Sequence, residues 1–225
     1  MSELLHFCEH RLQEVSLVFM GLVYVTRILW FLHFKAGKER QGQTGAPSTT
    51  PAKGILYSWA IIAMPWAMES TRTKPLLYAQ FVVFHLGVAA AITLSFIIPY
   101  APGLLENRLL VWAIQGITAA ACAVGLIRMA RRAGSRYMRA ISSPDDYFSL
   151  ALLIVWLFFA VLAAPNQTSP EWRLLAFFIL TAFFLVYVPF SKISHYLYYP
   201  FTRYYFGKSM GYRGVYPLQR SVKSH

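Results

Sequence analysis

Five long apolar stretches constrain the fold of this chain more than any other feature. They cover residues 15–34, 76–98, 109–127, 147–164 and 174–195. A helix that crosses the hydrocarbon core of a bilayer needs about 20 mostly apolar residues. Helices also satisfy their own backbone hydrogen bonds in lipid. The sequence therefore predicts an all-α integral membrane protein, in which five transmembrane helices form a bundle.

The composition agrees with a membrane protein and excludes several soluble classes. Of the 225 residues, 57% are hydrophobic and 13% are charged, against roughly one-quarter charged residues in soluble domains. The 17 Phe and 14 Tyr residues exclude a disordered chain. Cys8 and Cys122 are the two cysteines, too few for a disulfide scaffold, and they do not form the Cys-x-x-Cys pattern of an iron–sulfur site.

The segment between the first two apolar stretches is too short to span a membrane. Residues 54–68 are apolar but interrupted by Pro65, and we expect a short interfacial or re-entrant helix with Trp59 and Trp66 at headgroup depth. Residues 35–53 are rich in Gly, Thr and Pro, which predicts a flexible connection. We interpret residues 1–206 as one membrane domain and residues 207–225 as a basic tail.

The 21 Lys and Arg residues are distributed unevenly along the chain. Residues 35–74 and the end of the chain from Lys192 each carry six, and residues 128–139 carry five, which makes 17 on one side of the predicted spans. The other side has three: Arg11, Arg108 and Arg173. By the positive-inside rule the basic side is cytoplasmic. We therefore expect a multi-pass protein of a prokaryotic inner membrane with an external N-terminus and a cytoplasmic C-terminus, and no nucleic-acid partner.

Four ionisable side chains lie within the predicted spans: Arg27, His33, His85 and His195. Such residues cost about 2.5–3.5 kcal/mol each on insertion scales for charged groups and mark functional candidates. His85 is near the middle of the second span, and His195 is at the end of the fifth, which we expect Pro200 to terminate. Two histidines on facing helices can hold the iron of a haem b. Each could instead be a satisfied polar residue that packs between helices.

The segments FHLGV (84–88) and PFSKISH (189–195) resemble the nitrate reductase gamma-subunit family of membrane cytochromes b. This family includes subunits of heterodisulfide-reductase-like and sulfite-reduction-associated complexes. The resemblance implies five spans with an external N-terminus, and it implies that His85 and His195 are the axial ligands of a haem near an iron–sulfur partner. The nitrate reductase member holds a second haem at positions that are Ser95 and Phe177 here. Because neither supplies an imidazole, we expect one haem b.

Arg27 and His33 lie toward the cytoplasmic end of the first span. The guanidinium of Arg27 can hydrogen-bond a haem propionate or a quinone oxygen, or it can extend toward the headgroups. His33 is a candidate for quinone proton handling because an imidazole can change its charge near physiological pH. Alternatively, His33 is a solvated interfacial residue.

Together with this resemblance, these residues predict a haem b membrane subunit of a respiratory oxidoreductase complex. It would pass electrons between a membrane quinol (menaquinone or ubiquinone) and a cytoplasmic iron–sulfur subunit, and it would not be a complete enzyme alone. We expect the partner to dock on residues 192–213 and 128–139. The alternative is a haem-free membrane anchor for a cytoplasmic complex. A small transporter is disfavoured because the sequence has no internal repeat and no paired intramembrane carboxylate.

Overall fold

The computed structural model describes residues 2–35, 37 and 39–218, with the backbone alone at Ser70. All regular secondary structure in these ranges is helical. The helices are α1 (Glu3–His33), α2 (Pro51–Ala60), α3 (Glu69–Arg72), α4 (Pro75–Tyr100), α5 (Arg108–Gly134), α6 (Arg136–Ala140), α7 (Pro144–Ala163), α8 (Trp172–Tyr187) and α9 (His195–Tyr212). Short 3₁₀ turns cover Ile61–Ala63, Pro102–Glu106, Val188–Phe190 and Lys192–Ser194.

Five of these helices are long and apolar enough to cross a membrane. They are α1, α4, α5, α7, and α8 together with the 3₁₀ turn that follows it. The predicted all-α fold with five candidate membrane-spanning helices is confirmed, and the chain is a multi-pass membrane protein. A capping box begins the fourth of these helices: the backbone N–H of Ser143 donates to the Asp146 carboxylate at 2.7 Å.

The observed bounds differ most from the predicted ones at the first, third and fifth spans. The third helix continues to Gly134 rather than ending at residue 127. The first helix begins at Glu3 rather than at residue 15. The fifth ends at Phe190 rather than at His195, because Pro189 cannot continue the helical hydrogen bonds and Ser191 is extended. The expectation that Pro200 terminates a helix is wrong, since Pro200 lies inside α9.

The chain divides into two compact units. The bundle unit comprises Met1–Thr26 and Ala79–Ser194, and the α2–α9 unit comprises Arg27–Tyr78 and His195–His225. The interior of the bundle unit consists of small and large apolar side chains, among them Leu94, Ala121, Leu157, Phe177 and Phe178, each exposed by less than 1%. Helices in a membrane associate through such packing and through interhelical hydrogen bonds.

Side-chain hydrogen bonds link neighbouring helices of the bundle unit. The indole Nε1 of Trp156 on α7 donates to the Thr181 hydroxyl on α8 at 2.9 Å. Gln115 on α5 donates to the Val161 carbonyl on α7 at 3.0 Å. Gly87 lets α4 approach α5 closely, because a Cβ at this position would lie 2.9 Å from the carbonyl oxygen of Ile117.

The α2–α9 unit is an antiparallel pair of helices. Gly54 near the start of α2 meets Gly207 and Gly211 on α9, whereas Trp59 near the end of α2 donates to the Pro200 carbonyl at 3.0 Å. A Cβ at Gly207 would lie 2.7 Å from the Cα of Ile55, so the two backbones are in direct contact. The glycines are four residues apart on α9, the spacing of small residues at close helix contacts in membranes.

Hydrogen bonds join the segment before α2 to the end of α9 and the residue that follows it. The backbone N–H groups of Thr44 and Gly45 donate to the Arg213 carbonyl at 3.2 and 2.9 Å, and the Thr49 hydroxyl donates to Gly211 at 2.9 Å. The segment expected to be a flexible connection is therefore tied to the end of α9. The predicted domain boundary after residue 206 falls inside α9, and the residues that follow it pack on α2.

Candidate functional site

His85 lies on α4 in the bundle unit, and its side chain is exposed. Its Nδ1 is 2.7 Å from the backbone oxygen of Phe81. Because a carbonyl oxygen can only accept, Nδ1 carries the hydrogen and the lone pair of the neutral ring is on Nε2. Metal-ligating histidines commonly have this arrangement, in which one ring nitrogen donates to a carbonyl and the other binds the metal.

His195 is the first residue of α9 and belongs to the α2–α9 unit. Its side chain is exposed, and its ring lies 6.5 Å from the ring of Tyr196. The break after Phe190 places His195 at a helix start rather than within the fifth span. The two predicted ligands thus belong to different units, and their pairing on one haem stays a prediction.

Arg27 and His33 both lie on the last part of α1. Arg27 is half-buried, whereas His33 is exposed and its ring meets the ring of Phe34 edge-on at 5.6 Å. Six residues along an α-helix turn by about 600°, so the two side chains leave α1 about 120° apart. A single small ligand on one face of α1 would therefore contact one of them rather than both.

Ser95 and Phe177 occupy closely packed positions in the bundle unit. Phe177 is fully buried, and its ring stacks on Trp156 with the ring centroids 6.0 Å apart. The hydroxyl of Ser95 donates to the Ile92 carbonyl at 2.7 Å, and the Ser95 carbonyl accepts from Nε2 of Gln13 at 3.0 Å. Both side chains therefore pack in the interior of the bundle.

Sequence analysis missed a buried polar cluster at the start of α1, formed by Cys8, Glu9 and Gln13. A π-helical turn over Cys8–Leu12 interrupts α1 here, and such turns often occur at functional sites. Glu9 is 4% exposed, and Gln13 is fully buried, with no hydrogen-bond partner for its Oε1 among the described residues. The four-residue spacing of Glu9 and Gln13 was an available signal, because it places both on one helix face.

Several charged residues at the helix ends are paired within their own unit. Lys192 donates to the Asp146 carboxylate at 2.9 Å, so part of the predicted partner surface already has an acidic partner. Arg213 holds Glu39 through two hydrogen bonds of 3.0 Å, and these bonds keep the pKa of Glu39 below its ordinary value. The backbone N–H of Ser2 likewise lowers the pKa of Glu171.

The described part of the chain contains no group of three or more His, Cys, Asp or Glu side chains that could hold a metal ion. A haem needs only two axial side chains, so this observation bears on clustered metal sites and not on haem. No protein-family model, curated protein or solved structure matches this chain. The function must therefore be argued from its own residues.

Proposed function

We propose that this chain is the haem b subunit of a membrane oxidoreductase complex. It would pass electrons between a membrane quinol or quinone and a cytoplasmic iron–sulfur subunit. The observation that carries the proposal is the state of His85, an imidazole within an apolar span whose Nδ1–H donates to its own helix. This bond orients the ring, as the hydrogen bond from one ring nitrogen does in metal-ligating histidines.

The residue types present fit a haem b. His85 supplies one axial nitrogen, and His195 is the second ligand implied by the sequence resemblance. The ring of Phe81 lies 4.2 Å from the ring of His85 and adds an apolar surface next to the ligand. When bound between two imidazoles, the iron of a haem b carries one electron at a time. The packing of Ser95 and Phe177 supports one haem rather than two.

The residues proposed for quinone binding and proton transfer lie at the end of α1. Arg27 would donate to a haem propionate or to an oxygen of menaquinone or ubiquinone. His33 would accept a proton from a quinol hydroxyl, and its exposure at the last residue of the span supports this role. The two side chains leave α1 about 120° apart, so one ligand would not contact both. This favours a haem propionate for Arg27 and the quinone for His33.

The proposed orientation places the N-terminus outside and the C-terminus in the cytoplasm of a prokaryotic inner membrane. The support is the distribution of basic residues, 17 against three across the predicted spans. The iron–sulfur subunit would dock on residues 192–213 and 128–139. Arg203, stacked near Tyr199 with its Cζ 5.5 Å from the ring centroid, is of the type enriched at protein interfaces.

A haem-free membrane anchor is the second candidate function. The observation that favours it is the α2–α9 unit, in which glycine backbones touch directly and hydrogen bonds tie in the flanking residues. This unit has its own packing and requires no cofactor to hold its two helices together. A cytoplasmic partner could dock on such a unit whether or not the chain binds haem.

A visible spectrum of the purified protein and a haem extraction separate the two candidates. The haem proposal predicts a reduced b-type α band and about one haem per chain. His85→Ala and His195→Ala should each abolish both signals, whereas the matched control His33→Ala should retain them and slow haem reduction by a quinol analogue. Absence of haem in the native protein would support the anchor, and two haems per chain would contradict the assignment of Ser95 and Phe177.

A further inference from the structure

The α2–α9 unit contains a groove at the end of the first membrane span. It encloses about 870 Å³, within the range of about 300–1,000 Å³ found for ligand sites. Residues from the end of α1, from the segment that follows it and from α9 line it, among them Phe31, Phe34, Lys35, Tyr205, Lys208 and Tyr212. The groove thus combines two amino groups with four aromatic rings.

The charge in the groove favours an anion. Lys35 and Lys208 each contribute an ammonium group, and both side chains are exposed. Glu39 also lines the groove, but Arg213 binds its carboxylate through two hydrogen bonds of 3.0 Å. Because Arg213 offsets the charge of Glu39, the two lysines determine the sign of the local potential.

The position of the groove matches the depth of lipid headgroups. His33 is the last residue of α1, and Phe34 and Lys35 follow it directly. Aromatic and Lys side chains at the ends of a span sit at the boundary between hydrocarbon and headgroups. Basic pockets at this depth bind anionic lipid headgroups.

The glycine contacts between α2 and α9 hold one of the two lysines in place. Lys208 lies between Gly207 and Gly211 in sequence, and both glycines touch the backbone of α2. Since these contacts fix the rotation of α9, they also fix the direction in which Lys208 leaves the helix. Phe31 packs against Tyr205 with the ring centroids 6.3 Å apart, so the two walls of the groove are in contact.

We propose that this groove binds the headgroup of an anionic glycerophospholipid. Lys35 and Lys208 contact the phosphate, and the rings of Phe31 and Tyr205 contact the glycerol and the upper part of an acyl chain. A quinone does not suit the groove, because its headgroup carries no charge to pair with the two lysines. The proposal is independent of haem binding.

The experiment uses the full-length protein, purified in detergent and freed of lipid, and native mass spectrometry with added phosphatidylglycerol or phosphatidylcholine. Phosphatidylglycerol should bind more tightly than phosphatidylcholine. The Lys35→Gln/Lys208→Gln variant should weaken phosphatidylglycerol binding about thirty-fold, which corresponds to about 1 kcal/mol for each lysine. Its matched control is Lys53→Gln/Lys74→Gln, which removes the same charge from the same unit outside the groove and should bind as the native protein does.

Three outcomes would overturn the proposal. The first is equal binding of the two lipids by the native protein. The second is unchanged lipid preference in the Lys35→Gln/Lys208→Gln variant, with the thermal unfolding of both variants showing that they are folded. The third is displacement of phosphatidylglycerol by millimolar inorganic phosphate, which would show that the groove recognises a free phosphate and not a lipid.

Discussion

In the bundle unit helices meet through buried side chains both large and small, with a close approach at Gly87, whereas α2 and α9 meet through glycine backbones on both helices. Phe177 and Phe178 lie in the interior of the bundle. Trp156 on α7 stacks on Phe177 and donates to Thr181, both of which are on α8. In the other unit Gly54, Gly207 and Gly211 bring two backbones into contact. Substitutions should therefore act differently in the two units. Removing a large side chain from the bundle leaves a cavity, whereas adding a methyl group to a glycine between α2 and α9 forces these helices apart.

The largest effect is expected from removing a large side chain from the bundle. Phe177→Ala deletes a fully buried ring that stacks on Trp156, so it leaves a cavity. Such substitutions cost about 3–5 kcal/mol of unfolding free energy. Thermal or denaturant unfolding in detergent measures the loss, with Phe158→Ala as the control because Phe158 is 51% exposed. Similar stability of the two variants would show that the bundle does not depend on this packing.

In the α2–α9 unit the informative substitution adds a group instead of removing one, and we expect a smaller loss of stability. Gly207→Ala adds a methyl group whose carbon would lie 2.7 Å from the Cα of Ile55 and 2.8 Å from the Cβ of Ser58. Overpacking of this kind costs about 1–3 kcal/mol. Because backbone is on the other side of the contact, we expect the two helices to separate and amide hydrogen exchange to increase over Pro51–Ala60.

The control for this substitution is Gly116→Ala on α5. No described atom beyond the local helix lies within 4 Å of a Cβ at Gly116, so the added methyl group has open space. Hydrogen exchange in the bundle should stay unchanged in both variants. Exchange that increases equally in both units after Gly207→Ala would contradict the division of the chain into two separately packed units.

The difference between the units also explains which parts of the fold the sequence predicts. Hydropathy identifies the five spans because each is a long apolar stretch, and it identifies a short helix between the first two. It does not reveal that Gly45 bonds to Arg213, because that contact joins residues 168 positions apart in two polar segments. For the same reason residues 207–212 were expected in a tail, although glycines four residues apart, as at Gly207 and Gly211, are a signal for close helix contact.

The candidate site shows the same limit. The sequence identifies His85 because an imidazole is unusual in an apolar stretch, and local helix geometry then places its Nδ1 beside the Phe81 carbonyl. It does not identify Glu9 and Gln13, because the segment before residue 15 contains enough polar residues to look like an extramembrane terminus. Their burial depends on α4, whose Ser95 carbonyl accepts from Gln13, and on α8, which contacts the π-helical turn of α1.

The smallest expected effect concerns the ion pair that ties the segment after α1 to the end of α9. Hydrogen bonds from Arg213 lower the pKa of Glu39 in the folded protein. A carboxyl whose pKa is lower in the folded state stabilises that state above its unfolded pKa, about 4.3 for Glu, and this stabilisation is lost as the pH falls through the folded pKa. Acidification below about pH 4 should therefore loosen the α2–α9 unit. Neither Glu39 nor Arg213 belongs to the bundle unit, so the bundle interior at Phe177 and Phe178 should not respond through this pair.

Hydrogen exchange over Pro51–Ala60, measured between pH 3 and 7 and corrected for the intrinsic rate, tests this expectation. The native protein should lose protection at the acidic end, and Glu39→Gln should show a weaker pH dependence because it cannot form the ion pair. Glu69→Gln is the matched control, since it removes a carboxylate from the same unit without touching Arg213. A pH profile that is the same in the native protein and in Glu39→Gln would show that the backbone hydrogen bonds to Arg213 hold this segment without the ion pair.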